Sequence, residues 1–357
     1  MHRRAFAAFV IIAAITVSPN KVSAQGVKLI GSGASFPFPI YSAWFKDFSK
    51  KNDGVTVDYQ AKGSGAGIQD FTNRTVDFAG SDAAMTDEEI AKVTDGVVLL
   101  PITAGEIVLA YNLPGNPKAL KLTRDVYPDI FLGKVTKWND PRIIAANPDL
   151  KLPDLLITVV RRSDASGTNF VFTKHLSAIS PTFAKEVGSG TTVEWPKSDK
   201  IVGAPKNDGV TATIKQTPGA IGYIEYGYAK LTKADFALLQ NKAGQFVLAD
   251  TKSGQATLAT ETLDDRLRGW IEDSAGPDAY PIASFTYLIV YSDLENIKSR
   301  EQAQALVNFL WWATHDGEKL ASELDYAPLS DGVQKKLEAA LKTITYQGQR
   351  VEVAEAP

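Results

Sequence analysis

Val159-Val160-Arg161-Arg162-Ser163-Asp164-Ala165-Ser166-Gly167-Thr168-Asn169-Phe170 runs from an apolar strand through paired arginines into a small-residue turn that opens a helix. Hydroxyls and free backbone N–H groups gather where that helix begins, and its first-turn amides and positive dipole end favour negative charge. An arginine one turn earlier adds a planar fork of donors that fits phosphate or carboxylate oxygens two at a time. Together these parts can hold an oxyanion. Taken alone, the segment reads equally well as an arginine on a surface strand followed by an ordinary serine N-cap. Strand alternation puts Arg161 and Arg162 on opposite faces, so only one can enter a cleft, and the spacing does not say which.

The same order recurs upstream. Val27 to Ile30 predicts a strand and Gly31 to Pro37 a turn; Ile40, Tyr41, Trp44, Phe45 and Phe48 then predict a helix that starts near Ser35. Val55 to Tyr59 alternates like a strand and leads through Gly63-Ser64-Gly65-Ala66-Gly67 to a helix carrying Ile68 and Phe71. Val76 to Ala79 predicts a strand ending at Gly80-Ser81-Asp82. Thr86 to Glu89 has capping-box spacing, so Asp82 is not needed as the cap of that helix. Further strands are expected near Ile107 to Tyr111, Leu156 to Val160, Ala220 to Ile224 and Ser284 to Tyr291, with late helices over Glu301 to Thr314 and Val333 to Thr343. Trp311 and Trp312 read as packing residues. The alternation predicts an α/β fold with a mostly parallel sheet, whose ligands sit beyond the carboxyl ends of the strands. Three helix starts then carry a hydroxyl in a small-residue turn: Ser35, Ser64, and Ser166 with Thr168.

Residues 1 to 24 read as an export signal, with Arg3 and Arg4, an apolar run of 13 from Ala5 to Val17, and small residues at Val22-Ser23-Ala24 for cleavage after Ala24. The apolar run is shorter than the ~20 residues of a spanning helix. There is no cysteine, so neither a disulfide framework nor a lipid-anchored cysteine is expected. Removing the leader leaves 35 basic and 41 acidic residues, a net charge of −6. That balance argues against nucleic acid and anionic membrane as partners, and an anion would be held by local dipoles instead. The remaining 333 residues exceed the usual size of one core, so two domains are expected.

Catalysis finds no support in the sequence. Of three histidines, His2 is in the leader, and His175 and His315 fall within expected helices. His175 lies nine residues past Ser166, about 13 Å along the helix axis, too far to be its base. A Gly-x-Ser-x-Gly elbow, a cysteine nucleophile, the lysine of a phosphate-binding P-loop, a full dinucleotide-binding glycine pattern and metal-ligand spacing are all missing. No catalytic residue, metal or cofactor is expected.

Gly33-Ala34-Ser35-Phe36-Pro37, Tyr59 to Gly67, Val76 to Asp82, Phe131-Leu132-Gly133-Lys134 with Trp138, Val159 to Phe172, Pro218 to Tyr226 and Leu324-Asp325-Tyr326 form a specific combination. In it the chain resembles the periplasmic phosphate-binding protein (PstS) family of the bacterial phosphate-specific ABC importer, over nearly all of the sequence after the leader. The resemblance implies a non-catalytic, high-affinity receptor for inorganic phosphate in the periplasm. It would be a monomer that serves inner-membrane ABC permease subunits with a cytoplasmic ATPase. It also implies a two-lobed periplasmic-binding-protein fold (type II), two hinge-linked α/β domains with a ligand cleft between them. Residues 25–103 plus 278–357 would form lobe 1 and 104–277 lobe 2, with hinge crossings near Thr103 to Val108 and Pro281 to Thr286.

Carried over by position, Ser35 supplies a hydroxyl and Phe36 a backbone N–H, and Ser64 donates through hydroxyl and N–H. Arg162 gives two hydrogen bonds and is held by Asp164, and Ser166, Gly167 and Thr168 form the helix-start cradle. Asp82 accepts a proton from the ligand, and Arg161 is left to a surface or interdomain pair. Three departures from the family pattern stand out: Ser35 where threonine is frequent, Gly65 where a second serine can follow Ser64, and Ala165 where glycine is frequent. The competing readings are a receptor for sulfate, molybdate or a phosphonate, and a secreted phosphatase with Ser64 or Ser166 as nucleophile.

Overall fold

The computed structural model describes residues 26 to 115 and 117 to 353; the expected leader lies outside them. Strands β1 (Val27–Gly33), β2 (Val55–Ala61), β3 (Phe78–Ser81), β4 (Val97–Tyr111), β5 (Thr158–Arg162), β6 (Ile201–Ala204), β7 (Ala220–Glu225) and β8 (Ala283–Tyr291) share a nine-stranded sheet. Their order is β2-β1-β3-β8-β4-β7-β5-β6, and Asp235–Phe236 pairs with the end of β4. β1 is parallel to β2 and β3, and β5 is parallel to β6 and β7. At the centre β8 is antiparallel to β3 and β4, and β4 is antiparallel to β7. The expected parallel sheet is therefore present on each side and interrupted between them. Strand direction depends on where the chain has been, which an apolar run does not record.

The two-lobed form follows from β4. Its residues Val97 to Glu106 pair with β8, and Ile107 to Tyr111 pair with β7, so one strand serves both sides of the sheet. Only its last third is legible in the sequence, because Pro101 and Gly105 read as breaks. The structure absorbs Pro101 with a register shift opposite Thr286/Tyr287, a bulge where a missing N–H costs no ladder bond.

Helix α1 (Phe38–Lys51) buries Ile40, Tyr41, Trp44, Phe45 and Phe48 on one side, each contributing about 1.5–3 kcal/mol of transfer free energy. It begins three residues after Ser35, with Pro37 as an N-cap that makes no side-chain bond. Helices α2 (Ser64–Thr72), α3 (Gly167–Ile179) and α4 (Lys206–Gln216) each follow a strand, and α5 (Arg300–Ala313) packs on β1. Thr86 and Glu89 close the capping box of the helix Asp87–Ile90. Trp312 packs on Phe48 at 5.6 Å between ring centroids, and Trp311 stacks at 4.0 Å on His315, which follows the end of α5 rather than lying inside it. Among the described residues no helix is long and apolar enough to cross a membrane.

Candidate anion site

Five turns at strand ends meet between the lobes. β1 and β3 end in contact: Gly33 holds φ +137°, and a Cβ on it would sit 2.1 Å from the Gly80 carbonyl oxygen, so only glycine lets the chain turn here. Lys62 and Gly63 N–H both donate to the Gly33 carbonyl, which ties the turn after β2 to the same place. From this side come Ser35 and Phe36 after β1, Ser64 at the start of α2, and Asp82 after β3. The opposite side brings Arg162 at the end of β5, the turn Ser163 to Ser166, the first turn of α3, and Asn207 in the first turn of α4.

Arg162 is 3% exposed. Its Nε donates to Asp164 Oδ1 at 2.8 Å and its Nη2 to Asp164 Oδ2 at 2.5 Å, while Nη1 is buried with no partner. Lys206 N–H also donates to Asp164 Oδ1 at 3.0 Å. Burial alone would raise the Asp164 pKa, but the Arg162 bonds and charge and the Lys206 N–H outweigh it and hold the carboxyl below its ordinary value. Arg161 points away: its Nη1 donates to the Arg162 carbonyl at 3.0 Å and its guanidinium lies over Gly203, where no side chain intervenes. No carboxylate pairs with Arg161 among the described residues, which corrects the expected surface or interdomain pair.

The structure separates the three serines that the sequence groups as helix-start donors. Only Ser166 is an N-cap, its Oγ accepting from Asn169 N–H at 3.1 Å. Ser64 Oγ accepts from Asp82 N–H at 3.2 Å and lies 3.4 Å from Asp82 Oδ2, and Ser35 Oγ accepts from Asn207. The backbone N–H groups of Phe36, Ser64, Gly167 and Thr168 have no hydrogen-bond partner among the described residues. Together with Arg162 Nη1 they form a ring of unmet donors buried away from water, which is costly unless an acceptor joins them.

Among the described residues Asp82 is the carboxylate that lies within this ring, and it is 3% exposed. Burial pushes its pKa up to about 7, against the Thr286 hydroxyl bond to Oδ1 at 2.9 Å, the Arg162 charge and the Ser64 hydroxyl, which all pull it down. A ring of donors with one carboxylate suits a tetrahedral oxyanion that still carries a proton, since an ionised carboxylate can only accept.

The lobes are in contact. Gly65 N–H donates to the Ala165 carbonyl at 3.0 Å, and a Cβ on Gly65 would lie 2.6 Å from Ala165 Cβ. A Cβ on Gly167 would lie 2.4 Å from Ser64 Oγ and 2.6 Å from Asp82 Oδ2. The two departures at Gly65 and Ala165 therefore face each other: a side chain missing on one lobe makes room for a methyl on the other.

Sequence reading missed Asn207, Thr286 and Tyr228. Asn207 Nδ2 donates to Ser35 Oγ and to Thr168 Oγ1, both at 3.1 Å, and Tyr228 OH donates to the Ser35 carbonyl at 2.6 Å. Nothing local marks them, since Asn207 opens an unremarkable polar helix and Thr286 sits in an apolar strand. His175 is accounted for elsewhere: it is buried between Tyr127 OH at 2.8 Å and the Glu272 carbonyl at 2.7 Å, and burial pushes its pKa down to about 4. It is a neutral core histidine.

Residues 19–315 match the family model of the PBP superfamily domain. The phosphate-binding protein PstS of Xylella fastidiosa (strain Temecula1) is 37% identical over 327 residues, 91% of this chain and 87% of its own. The protein of the same name from Methanocaldococcus jannaschii is 38% identical over 307 residues, 81% of this chain and 78% of its own. Among solved structures, a periplasmic phosphate-binding protein (PfluDING) bound with phosphate superposes with a TM-score of 0.70 at 19% identity, covering 87% of this chain and 93% of that one. A phosphate-binding protein from Stenotrophomonas maltophilia gives 0.68 at 21%, with the same coverage. At these identities the two structures speak for the fold.

Proposed function

The chain belongs to the PstS family of phosphate-binding proteins within the PBP superfamily, and from that premise we propose how it works: as a non-catalytic receptor that captures inorganic phosphate and delivers it to an ABC importer. The observation that carries the reading is the buried ring of unmet donors, Arg162 Nη1 and the N–H groups of Phe36, Ser64, Gly167 and Thr168, closed around Asp82. Hydroxyls of Ser35, Ser64, Ser166 and Thr168 add neutral donors to phosphate, Asp164 holds the guanidinium, and Asp82 accepts the ligand's proton. Above about pH 7, where Asp82 is ionised, selectivity then rests on it: phosphate still brings a proton, and sulfate brings none.

Export with removal of residues 1 to 24 would place the receptor in the periplasm as a monomer, where permease subunits with a cytoplasmic ATPase would receive its cargo. The lobes, 25–103 plus 278–357 and 104–277, would open and close about Thr103 to Val108 and Pro281 to Thr286. Closure is favoured because full desolvation of the anion needs donors from both sides. Equilibrium dialysis of ligand-stripped protein against labelled phosphate tests the receptor role, beside an incubation with a chromogenic phosphate ester. One phosphate retained per chain with no ester cleaved is expected. Ester turnover, or no retained phosphate, would overturn it.

A further inference from the structure

Asn207 is fully buried and every polar atom of its side chain is used. Its Oδ1 accepts the backbone N–H of Glu225 at 2.9 Å, which fixes the amide with Nδ2 facing the site. The two Nδ2 hydrogens go to Ser35 Oγ and Thr168 Oγ1, and the Asn207 backbone N–H adds a second bond to Ser35 Oγ at 3.2 Å. Lys206, at φ +58°, sets this arrangement by turning the chain so that its own N–H reaches Asp164 and the next one reaches Ser35.

A hydroxyl has one proton and two acceptor positions. Asn207 fills both acceptor positions on Ser35 and one on Thr168, and neither hydroxyl donates to any described residue. The Ser35 proton must then point away from Asn207, and the Thr168 hydroxyl is biased the same way. Ser35 and Thr168 belong to opposite lobes, so one amide polarises a hydroxyl from each, and it does so only when the lobes are together.

Resting on the phosphate reading above, we propose that Asn207 is a positioning residue that makes the Ser35 and Thr168 hydroxyls obligate donors to the bound anion and ties that polarity to lobe closure. Asn207→Asp reverses the arrangement, because a carboxylate would accept both hydroxyl protons itself. Its phosphate Kd, relative to wild type at the same pH, should weaken at least 100-fold at pH 8 and recover at least tenfold by pH 5, where the new carboxyl regains a proton. Asp82, Glu225, Asp164, Asp208 and Arg162 surround this position in both proteins, so the comparison with wild type at each pH reads what the new carboxyl adds.

Asn207→Ala and Ser35→Ala, combined in a double-mutant cycle with phosphate calorimetry, provide the second readout. Loss of Ser35 should cost at least fivefold less when Asn207 is already alanine, and this arm decides the matter if the aspartate variant does not fold. A pH-independent loss in Asn207→Asp, or additive effects in the cycle, would overturn the proposal and leave Asn207 a structural staple. Wild-type protein that binds no phosphate would instead refute the receptor reading.

Discussion

Arg162 and Asp164 form a two-point pair, Nε to Oδ1 at 2.8 Å and Nη2 to Oδ2, that leaves Nη1 as the guanidinium nitrogen free to meet a ligand. The carboxylate thus aims the arginine and uses two of its three nitrogens in doing so. Arg162→Lys keeps the charge and loses the planar fork. Phosphate affinity should fall about 10- to 150-fold, the equivalent of about 1.5–3 kcal/mol for a charged hydrogen bond. Asp164→Asn, which leaves Arg162 in place with a weaker brace, should cost less. Calorimetric titration of the two variants checks the ranking, and an Asp164 variant weaker than the Arg162 variant would contradict it.

Gly65 and Ala165 offer a test of closure. Gly65→Ser puts a side chain where the Ala165 methyl lies 2.6 Å away, so the lobes should fail to meet, with a larger radius of gyration in phosphate by solution scattering. Phosphate binding should weaken by at least tenfold, about 1.4 kcal/mol. Adding Ala165→Gly should restore both. No recovery in the double variant would show that the two positions are independent.

Asp82 predicts a pH signature in the ligand-free protein. Its folded pKa of about 7 lies above the unfolded value, so between the two the folded state keeps a proton the unfolded chain has lost, and stability falls as pH rises through that window. Burial of Glu225, whose pKa rises to about 8, acts with the same sign, and His175, pushed down to about 4, acts with the opposite sign below about pH 6.5. Asp82→Asn removes the first contribution and, with it, the smallest cause of the Glu225 rise, the Asp82 charge. Denaturant unfolding of wild type and variant should show the variant gaining, relative to wild type, at most about 4 kcal/mol between pH 4 and pH 8. A difference that stays constant across that range would mean Asp82 does not titrate there.

Added inert salt should change phosphate affinity only modestly. Arg162 is the cationic contact proposed here and is almost wholly buried, and buried interactions are screened far less than exposed ones. Titrations from about 0.01 to 0.5 M salt check this. A drop of several orders of magnitude would point to an exposed basic patch.

What the sequence carried was the local half of the site. Strand, turn and helix are written within a dozen residues around Ser35, Ser64 and Ser166, and the capping box at Thr86 to Glu89 frees Asp82 from a local role. What it could not carry was long-range. Asn207 reaches Ser35 across 172 residues and Thr286 reaches Asp82 across 204, and neither contact leaves a periodic or compositional trace. β4 was hidden for a different reason: Pro101 and Gly105 look like breaks until a neighbouring strand supplies the bulge that tolerates them. The choice between Arg161 and Arg162 needed the position of Asp164 and the space over Gly203.

The closed donor ring should accept an anion only when one proton, carried by the anion or by Asp82, lies between them. Isothermal titration of ligand-stripped protein at pH 8 with phosphate and then with sulfate measures that directly. One phosphate per chain is expected, with sulfate bound far more weakly at pH 8 and gaining as the pH is lowered through about 7 and Asp82 takes up its own proton. Sulfate bound as tightly as phosphate at pH 8, or no phosphate bound at all, would contradict it.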